Sequence, residues 1–184
     1  TPPRPHIGDS ANAPAHKYVC INADEGDSGT FADRMLIEGD PFCLLEGMAI
    51  AAYCVGADKG IVYLRSEYPD AIEVLDEAIA IARERGWLGI GILDTDLSFD
   101  VEVYVGAGSY VCGEETAMLE SIEGRRGMVR VKPPLPAIEG LFGTPTVINN
   151  VMTMASVPSI MARGAQAYAA LGTEKSQGTQ VFQL

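Results

Sequence analysis

A glycine-rich turn followed by two glutamates is the strongest chemical signal in this 184-residue sequence. Residues 106–113 (GAGSYVCG) join a predicted strand to a predicted helix that opens with Glu114 and Glu115. The third glycine comes too late for the usual dinucleotide fingerprint. The helix dipole stabilises two carboxylates at this point, but they would repel a phosphate bound there. The turn therefore predicts a donor-rich ligand carrying ribityl or ribose hydroxyls, a carboxamide or a flavin N–H. The alternative is a plain helix cap with two solvated acids.

A second acidic turn follows another predicted strand. Asp24, Glu25 and Asp27 come shortly after the apolar run at residues 18–22. Their spacing and the length of the turn differ from those of an EF-hand, so a calcium site has weak support. The remaining interpretations are a rim that hydrogen-bonds sugar hydroxyls and a simple polar turn.

Basic residues are concentrated in one segment of a chain whose formal charge is −12. Arg125, Arg126, Arg130 and Lys132 lie within eight positions. This pattern is typical of a solvated loop, with a phosphate site as the less favoured alternative. Lys132 lies among prolines and resembles a fixed arm for an anion. The overall acidity argues against nucleic acid as a partner, because duplex binding needs a basic face.

The cysteines and histidines predict neither a metal site nor a catalytic triad. The four cysteines are Cys20, Cys43, Cys54 and Cys112. They show no C-x-x-C spacing and have no nearby histidine, which argues against zinc and suits a reducing cytoplasm. No apolar run reaches the roughly 20 residues of a membrane-spanning helix, so no direct membrane insertion is expected.

Apolar periodicity predicts alternating strands and helices. Strands are expected at residues 18–22, 60–64 and 99–105, with a further one beginning at 180–184. Helices are expected at residues 31–38, 41–55, 69–86, 113–122, 151–163 and 165–171, while residues 124–148 have the composition of a loop. This alternation predicts an α/β fold with a Rossmann-like, mostly parallel sheet and helices on both faces. The turns after Asn22, Leu64 and Val105 would then meet at one edge, where such sheets bind ligands.

Four segments resemble motifs that occur in the same order in a known family. They are residues 22–34 (NADEGDSGTFADR), 106–117 (GAGSYVCGEETA), 130–136 (RVKPPLP) and 145–151 (PTVINNV). The chain thus resembles, over nearly all of residues 18–184, the NADH-binding flavoprotein subunit shared by respiratory complex I, NAD-reducing hydrogenases and NAD-dependent formate dehydrogenases. The acidic turn and residues 35–41 (MLIEGDP) are most similar to the β subunit of formate dehydrogenase.

The resemblance implies an oxidoreductase subunit that binds FMN and NAD(H) in one cavity and exchanges single electrons with iron–sulfur clusters. Its partners would be the other subunits of a multi-subunit redox complex, in the cytoplasm. The chain is expected to be a fragment, with a glycine-rich flavin loop before residue 1 and the ligands of a 4Fe-4S cluster after residue 184. Within it, residues 1–16 are predicted to be an irregular lead-in, 17–177 the FMN- and NADH-binding domain and 178–184 the start of a following domain.

The resemblance also assigns roles to eleven residues, none of them in acid–base catalysis or metal binding. The residues that would hold the flavin are Asn22, Asp24, Gly113, Glu114, Asn149 and Asn150. Glu115 would bind the nicotinamide end of NADH, and Tyr110 would stack against a ring. Glu25, Asp27 and Lys132 would lie nearer the rest of the dinucleotide. Carboxylates that meet hydroxyls and an amide, Glu115 among them, would disfavour the extra phosphate of NADPH. Two alternatives from other classes are a scaffold subunit without flavin and a metal-dependent hydrolase that uses the acidic turn.

Overall fold

A computed structural model describes residues 16–183 of the chain. The predicted irregular lead-in therefore lies almost entirely outside the described residues, and the predicted division into three parts stays a prediction.

Four parallel strands form the sheet at the centre of the fold. They are β1 (Tyr18–Ala23), β2 (Lys59–Arg65), β3 (Asp100–Gly106) and β4 (Thr146–Asn150), in the spatial order β3-β2-β1-β4. Tyr18 lies opposite Lys59 on one side of β1 and opposite Thr146 on the other. The continuous apolar run of β1 suits this inner position, because such a strand is covered on both faces. The chain passes from β1 outward to β2 and β3 and then returns to the other side of β1 as β4.

Helices cover both faces of this sheet, as the sequence predicts. One face packs against α1 (Ala32–Gly39), α2 (Pro41–Val55), α3 (Pro69–Glu84) and α5 (Val151–Arg163), and its core contains Val19, Ile21 and Leu75. The other face packs against α4 (Glu115–Ile122), with Cys20 and Met118 in its core. Alternate side chains of β1 thus enter two different hydrophobic cores, as the two-residue period of a strand requires.

Helix ends and close contacts fix the positions of these helices. Asp40 caps α2 by accepting a hydrogen bond from the backbone N–H of Cys43. A Cβ atom on Gly47 would lie 2.2 Å from the carbonyl oxygen of Met154, so this glycine lets α2 approach the backbone of α5 closely. None of the helices in the described part of the chain is long and apolar enough to cross a membrane.

The structure corrects the sequence prediction in two places. Residues 146–150 form β4, although the predicted loop extends to residue 148. Residues 180–183 are not a strand, so the prediction of one beginning at 180 is wrong. Val181 and Phe182 are exposed, which removes the burial that would favour a strand there. A small helix α6 (Ala165–Ala169) and a two-residue hairpin, β5 (Gly172–Thr173) with β6 (Ser176–Gln177), precede this segment.

Candidate functional site

The carboxyl ends of β1 and β4 border a cavity of about 450 Å³, here called the main cavity. Its lining residues are Asn22, Asp24, Glu25, Gly26, Asp27, Thr30, Asp33, Gly113, Glu115, Ile148, Asn149 and Asn150. An adjoining side cavity of about 430 Å³ shares part of this wall and adds Tyr110, Val111 and Glu114. Ten of the eleven predicted site residues line one of these two cavities. The eleventh, Lys132, reaches them through Glu115.

Asn22 holds the two turns of the main cavity together. Its Nδ2 donates to the carbonyl oxygen of Gly113 at 2.8 Å, and its Oδ1 accepts from the backbone N–H of Asp24 at 3.1 Å. A Cβ atom on Gly113 would lie 3.3 Å from the carbonyl oxygen of Asp24. The absence of a side chain at Gly113 therefore lets the glycine-rich turn lie directly against the acidic turn.

The Glu25 carboxylate takes over the capping of α1. Phe31 occupies the N-cap position of this helix and makes no side-chain cap. Instead, the two carboxylate oxygens of Glu25 accept from the backbone N–H groups of Asp33 and Arg34, at 3.2 and 3.4 Å. Tyr68 also donates its hydroxyl to this carboxylate, at 3.3 Å. Glu25 thus has a structural role that its place in the motif does not reveal.

Arg65, at the end of β2, contacts two residues of the acidic turn, Glu25 and Asp24. Its guanidinium donates to the carbonyl oxygen of Glu25 and, at 2.7 Å, to the carboxylate of Glu67. Its Nε lies 4.0 Å from Asp24 Oδ1, and the side chain of Asp24 is only 6% exposed. Burial raises the pKa of Asp24, the charge of Arg65 opposes this, and Glu67 adds to it. The sequence interpretation missed Arg65, and its only signal was a position at the carboxyl end of a predicted strand.

Asp33 is a further carboxyl of the main cavity that the sequence interpretation missed. It is 5% exposed, and its Oδ2 accepts a hydrogen bond from Asn150 Nδ2 at 2.8 Å. Burial and the nearby Glu25 carboxylate raise the pKa of Asp33 to about 6, and the hydrogen bonds from Asn150 and the Met152 backbone oppose this rise. Asn150 also caps α5 by accepting from the backbone N–H of Met152 at 2.8 Å.

Tyr110 forms the outer wall of the side cavity. The residue is 71% exposed, and its hydroxyl donates to Asp27 Oδ1 at 2.9 Å. This hydrogen bond, with the charge of Asp27, raises the pKa of Tyr110. A Cβ atom on Gly26 would lie 2.9 Å from Tyr110 Cδ2, so the ring packs directly on the glycine backbone. The exposure of the ring is compatible with the predicted stacking against a ligand.

Glu114 and Glu115 are adjacent and both pair with Lys132, at 3.6 and 2.6 Å, but Glu114 has further partners in α4. Glu114 is the N-cap of α4, and its carboxylate accepts from the backbone N–H groups of Thr116 and Ala117 at 2.8 and 2.9 Å. Although burial opposes the change, the Thr116 hydroxyl and these two N–H groups lower the pKa of Glu114. Glu115 accepts from Lys132 Nζ at 2.6 Å, which raises the pKa of Lys132. The alternative interpretation of these two acids, a plain helix cap, therefore applies to Glu114 and not to Glu115.

Two arginines of the basic segment pair with two glutamates of α4 and its C-terminal end. We call this group, formed by Glu120, Glu123, Arg125 and Arg130, the arginine–glutamate square. Arg130 bonds to Glu120 at 2.5 Å and to Glu123 at 2.9 Å, and it donates to the carbonyl oxygen of Gly140 at 3.0 Å. Arg125 bonds to the same two glutamates. The hydrogen bond from Arg125, followed by that from Arg130, lowers the pKa of Glu120 to about 2. These charges are engaged in holding the loop that carries Lys132, which argues against a phosphate site here.

The chemistry of the main cavity fits a polyhydroxylated or amide-bearing ligand. Its wall combines carboxylates with the three carboxamides of Asn22, Asn149 and Asn150, which accept from and donate to such groups. Within residues 16–183, no lysine or arginine lines it. The lining therefore fits the ring and sugar-like parts of a flavin nucleotide and offers no cation to its phosphate.

Comparison with known proteins gives a consistent result. Residues 7–159 match a family model described as the Nuo51 FMN-binding domain. The chain is 52% identical over 166 residues to a subunit of the NADH-quinone oxidoreductase of Rhizobium meliloti (strain 1021), covering 90% of this chain and 39% of that protein. It is 49% identical over 173 residues to the HndC subunit of the NADP-reducing hydrogenase of Solidesulfovibrio fructosivorans, covering 94% and 35%.

A solved structure shares the fold. The NAD+-reducing [NiFe]-hydrogenase in the H2-reduced state matches with a TM-score of 0.79 and 44% sequence identity, over 89% of this chain and 27% of that chain. This chain spans about two fifths of the length of the curated relatives described above.

Proposed function

This chain belongs to the Nuo51 FMN-binding domain family, and we propose that it forms the flavin-holding part of an NADH-linked flavoprotein subunit. The observation that carries the proposal is the main cavity, whose wall combines residues of the acidic turn, the glycine-rich turn and β4. When bound, FMN supplies the chemistry of exchanging a hydride with a nicotinamide and single electrons with an iron–sulfur cluster. The protein binds and orients the two ligands, so no acid–base residue is needed.

We assign the flavin to the inner part of the site. Asn22, Asp24, Gly113, Glu114, Asn149 and Asn150 are proposed to hold it. Of these, Asn22 and Glu114 also have internal hydrogen bonds, so part of their role is to fix the two turns. Asn150 offers an amide group at the cavity wall, and Gly113 supports close approach by the backbone.

We assign NAD(H) to the outer part. Glu115 is proposed to bind the nicotinamide end and Tyr110 to stack against a ring. Asp27, Glu25 and Lys132 would lie nearer the remainder of the dinucleotide. The pairing of Lys132 with Glu115 partly offsets the negative charge there, so the proposed exclusion of NADPH depends on a balance between these two residues. A relative named as NADP-reducing is 49% identical to this chain, so the fold by itself does not decide between the two dinucleotides.

The complex to which the subunit belongs is a finer proposal. The acidic turn supports an NAD-dependent formate dehydrogenase. The names of the relatives support the equivalent subunit of complex I or of a hydrogenase as the alternative. In each case the partners are iron–sulfur subunits of a cytoplasmic redox complex, and the 4Fe-4S cluster of the whole subunit has its ligands outside this sequence.

The proposal is tested on the full-length subunit, purified with its neighbouring subunits. We expect a yellow protein with flavin absorbance that NADH bleaches under anaerobic conditions. A protein that stays colourless after incubation with FMN would contradict the proposal and support a scaffold subunit. A flavin that NADH leaves oxidised would contradict the NAD(H) assignment. The copurifying subunits would identify the complex.

A further inference from the structure

Asp33 connects the starts of two helices at the floor of the main cavity. It lies in the first turn of α1, is nearly fully buried and accepts the Nδ2 hydrogen bond of Asn150. The backbone N–H of Met152, at the start of α5, also stabilises its charged form. None of the roles proposed above uses this carboxyl.

The carboxamide of Asn150 is engaged at both of its ends. Its Oδ1 accepts from the backbone N–H of Met152, and its Nδ2 donates one hydrogen to Asp33. The contacts of the described residues use only one of the two Nδ2 hydrogens, which leaves the second for a ligand in the cavity. An amide can turn over and exchange its donor and acceptor ends. A carboxylate only accepts hydrogen bonds and a backbone N–H only donates them, so Asp33 and Met152 together select the orientation with Nδ2 towards Asp33 and Oδ1 towards the Met152 N–H.

We propose that Asp33 is a positioning residue for the cofactor: its ionised carboxylate fixes the Asn150 carboxamide with the Nδ2 group presented to FMN. This inference rests on the proposed function. The buried acid then has a definite role: it holds the Nδ2 end of Asn150, while the Met152 N–H holds the Oδ1 end.

The surroundings of Asp33 support a functional role for its charge. Burial and the negative charge of Glu25, on the preceding turn, raise the pKa of Asp33. The groups at the start of α5 are neutral: the Asn150 amide and the Met152 N–H, which lower this pKa. Asp24, Asp27 and Glu115 line the same cavity. Because the pKa of Asp33 is raised to about 6, the folded protein binds an extra proton between its ordinary pKa and about 6. Ionisation of Asp33 therefore costs stability at neutral pH, and folding alone does not explain the charge.

The protonation state of Asp33 sets the direction of the pH dependence. Below about pH 6 Asp33 is protonated and no longer holds Nδ2 with a negative charge, so the Met152 N–H alone orients the Asn150 carboxamide and holds it less firmly. FMN affinity should therefore rise with pH through this range. The stability contribution of Asp33 has the opposite sign, since it is fully present below the unfolded pKa and is lost as pH rises through about 6.

The test measures FMN affinity of the flavin-free full-length subunit by fluorescence quenching, across about pH 5 to pH 8. We expect D33N to weaken binding about tenfold at the upper end of this range and to flatten the pH profile. Asn150→Ser removes the Nδ2 donor and keeps a side chain suited to helix capping. Because Asp33 acts through Asn150, D33N should weaken binding no further once Asn150→Ser is present.

Thermal unfolding separates this loss from misfolding, because D33N should be as stable as the wild type or more stable at neutral pH. Wild-type affinity and pH profile in D33N would overturn the inference while leaving FMN binding intact. Losses that add in the double variant would overturn it as well, because Asp33 would then contact the ligand directly. A wild-type subunit that binds no FMN would overturn the proposed function itself.

Discussion

Three glutamates at the site, Glu25, Glu114 and Glu115, differ in the main contact that each carboxylate makes. Glu25 caps α1 from the preceding turn, Glu114 caps α4, and Glu115 pairs with Lys132. The first two accept hydrogen bonds from backbone N–H groups that the helices themselves leave without partners. Glu115 is therefore the glutamate of the three whose charge a ligand is most able to meet.

Substitution of Glu115 should alter the choice between the two dinucleotides. If its carboxylate repels the 2′-phosphate of NADPH, Glu115→Gln should raise the NADPH/NADH ratio of kcat/KM by roughly fivefold, about 1 kcal/mol for one charge in a solvated site. Lys132→Gln should change the ratio in the opposite direction, because it removes the cation that offsets Glu115. Steady-state kinetics of the full-length subunit in its complex measures both ratios.

Glu77→Gln is the matched control for this comparison. Glu77 is an exposed acid on α3, so its replacement changes the net charge equally without touching the site. An unchanged ratio in Glu115→Gln would contradict the repulsion argument.

The sequence predicts which residues lie at the site better than it predicts the contacts that each of them makes. Asn22, Gly113 and Asn150 fall within short motifs, and the structure brings them together at one cavity. Asp33 has the sequence pattern of an ordinary solvated acid in the first turn of a helix. Its burial results from α5, whose start comes more than a hundred residues later in the chain. Local patterns carry no information about such a contact.

At the scale of elements, the loop between α4 and β4 depends on the arginine–glutamate square. Arg130→Gln should destabilise the protein by roughly 1–3 kcal/mol, because Glu120 and Glu123 lose one of their two cations while remaining partly buried. The loop should also open more often. Hydrogen exchange at the amide of Phe142, which donates to Glu123 at 2.7 Å, should accelerate.

Arg126→Gln provides the control, since Arg126 is exposed and lies in the same segment. It should leave both the exchange rate and the unfolding free energy nearly unchanged, within about 0.5 kcal/mol. Equal effects of the two substitutions would show that net charge, rather than the square, stabilises the loop.

Elements with strong apolar periodicity were predictable, and short polar ones were not. The run in β1 and the helical spacing in α3 identify those elements directly. β4 has only five residues, and its three β-branched residues are followed by Asn149 and Asn150, which are depleted in strands, so the run is too short to identify a strand by itself. It becomes a strand because β1 offers it an unpaired edge, and pairing across the sheet is a tertiary effect.

At the scale of the whole molecule, the acidic character of the main cavity limits what this chain can do alone. Phosphate binding usually relies on arginine, lysine or a helix N-terminus. The part of the cavity wall formed by residues 16–183 includes neither basic side chain, and N–H groups at the starts of α1 and α5 already donate to Glu25 and Asn150. The 184-residue chain should therefore bind riboflavin and FMN with affinities within about threefold of each other, because a phosphate–cation contact would contribute more than about tenfold. Titration of flavin fluorescence measures both.

The full-length subunit is the comparison for this experiment, and circular dichroism of the shorter chain checks that it is folded. FMN binding at least about tenfold tighter than riboflavin by the shorter chain would contradict the prediction. It would place a phosphate-binding cation among residues 1–15 or within a rearranged loop.

The pairing of β1 with β4 has a consequence for how the protein acquires its cofactor. Asn22 lies opposite Asn150, so the two sides of the site meet only when strands that are more than a hundred residues apart in the chain pair with each other. Contacts between distant parts of a chain form late, since the entropy of closing a long loop must be overcome first. During synthesis the acidic turn leaves the ribosome long before its partner strand does. Cofactor loading is therefore expected to follow translation of this domain, and the flavin stabilises a nearly complete fold instead of initiating it.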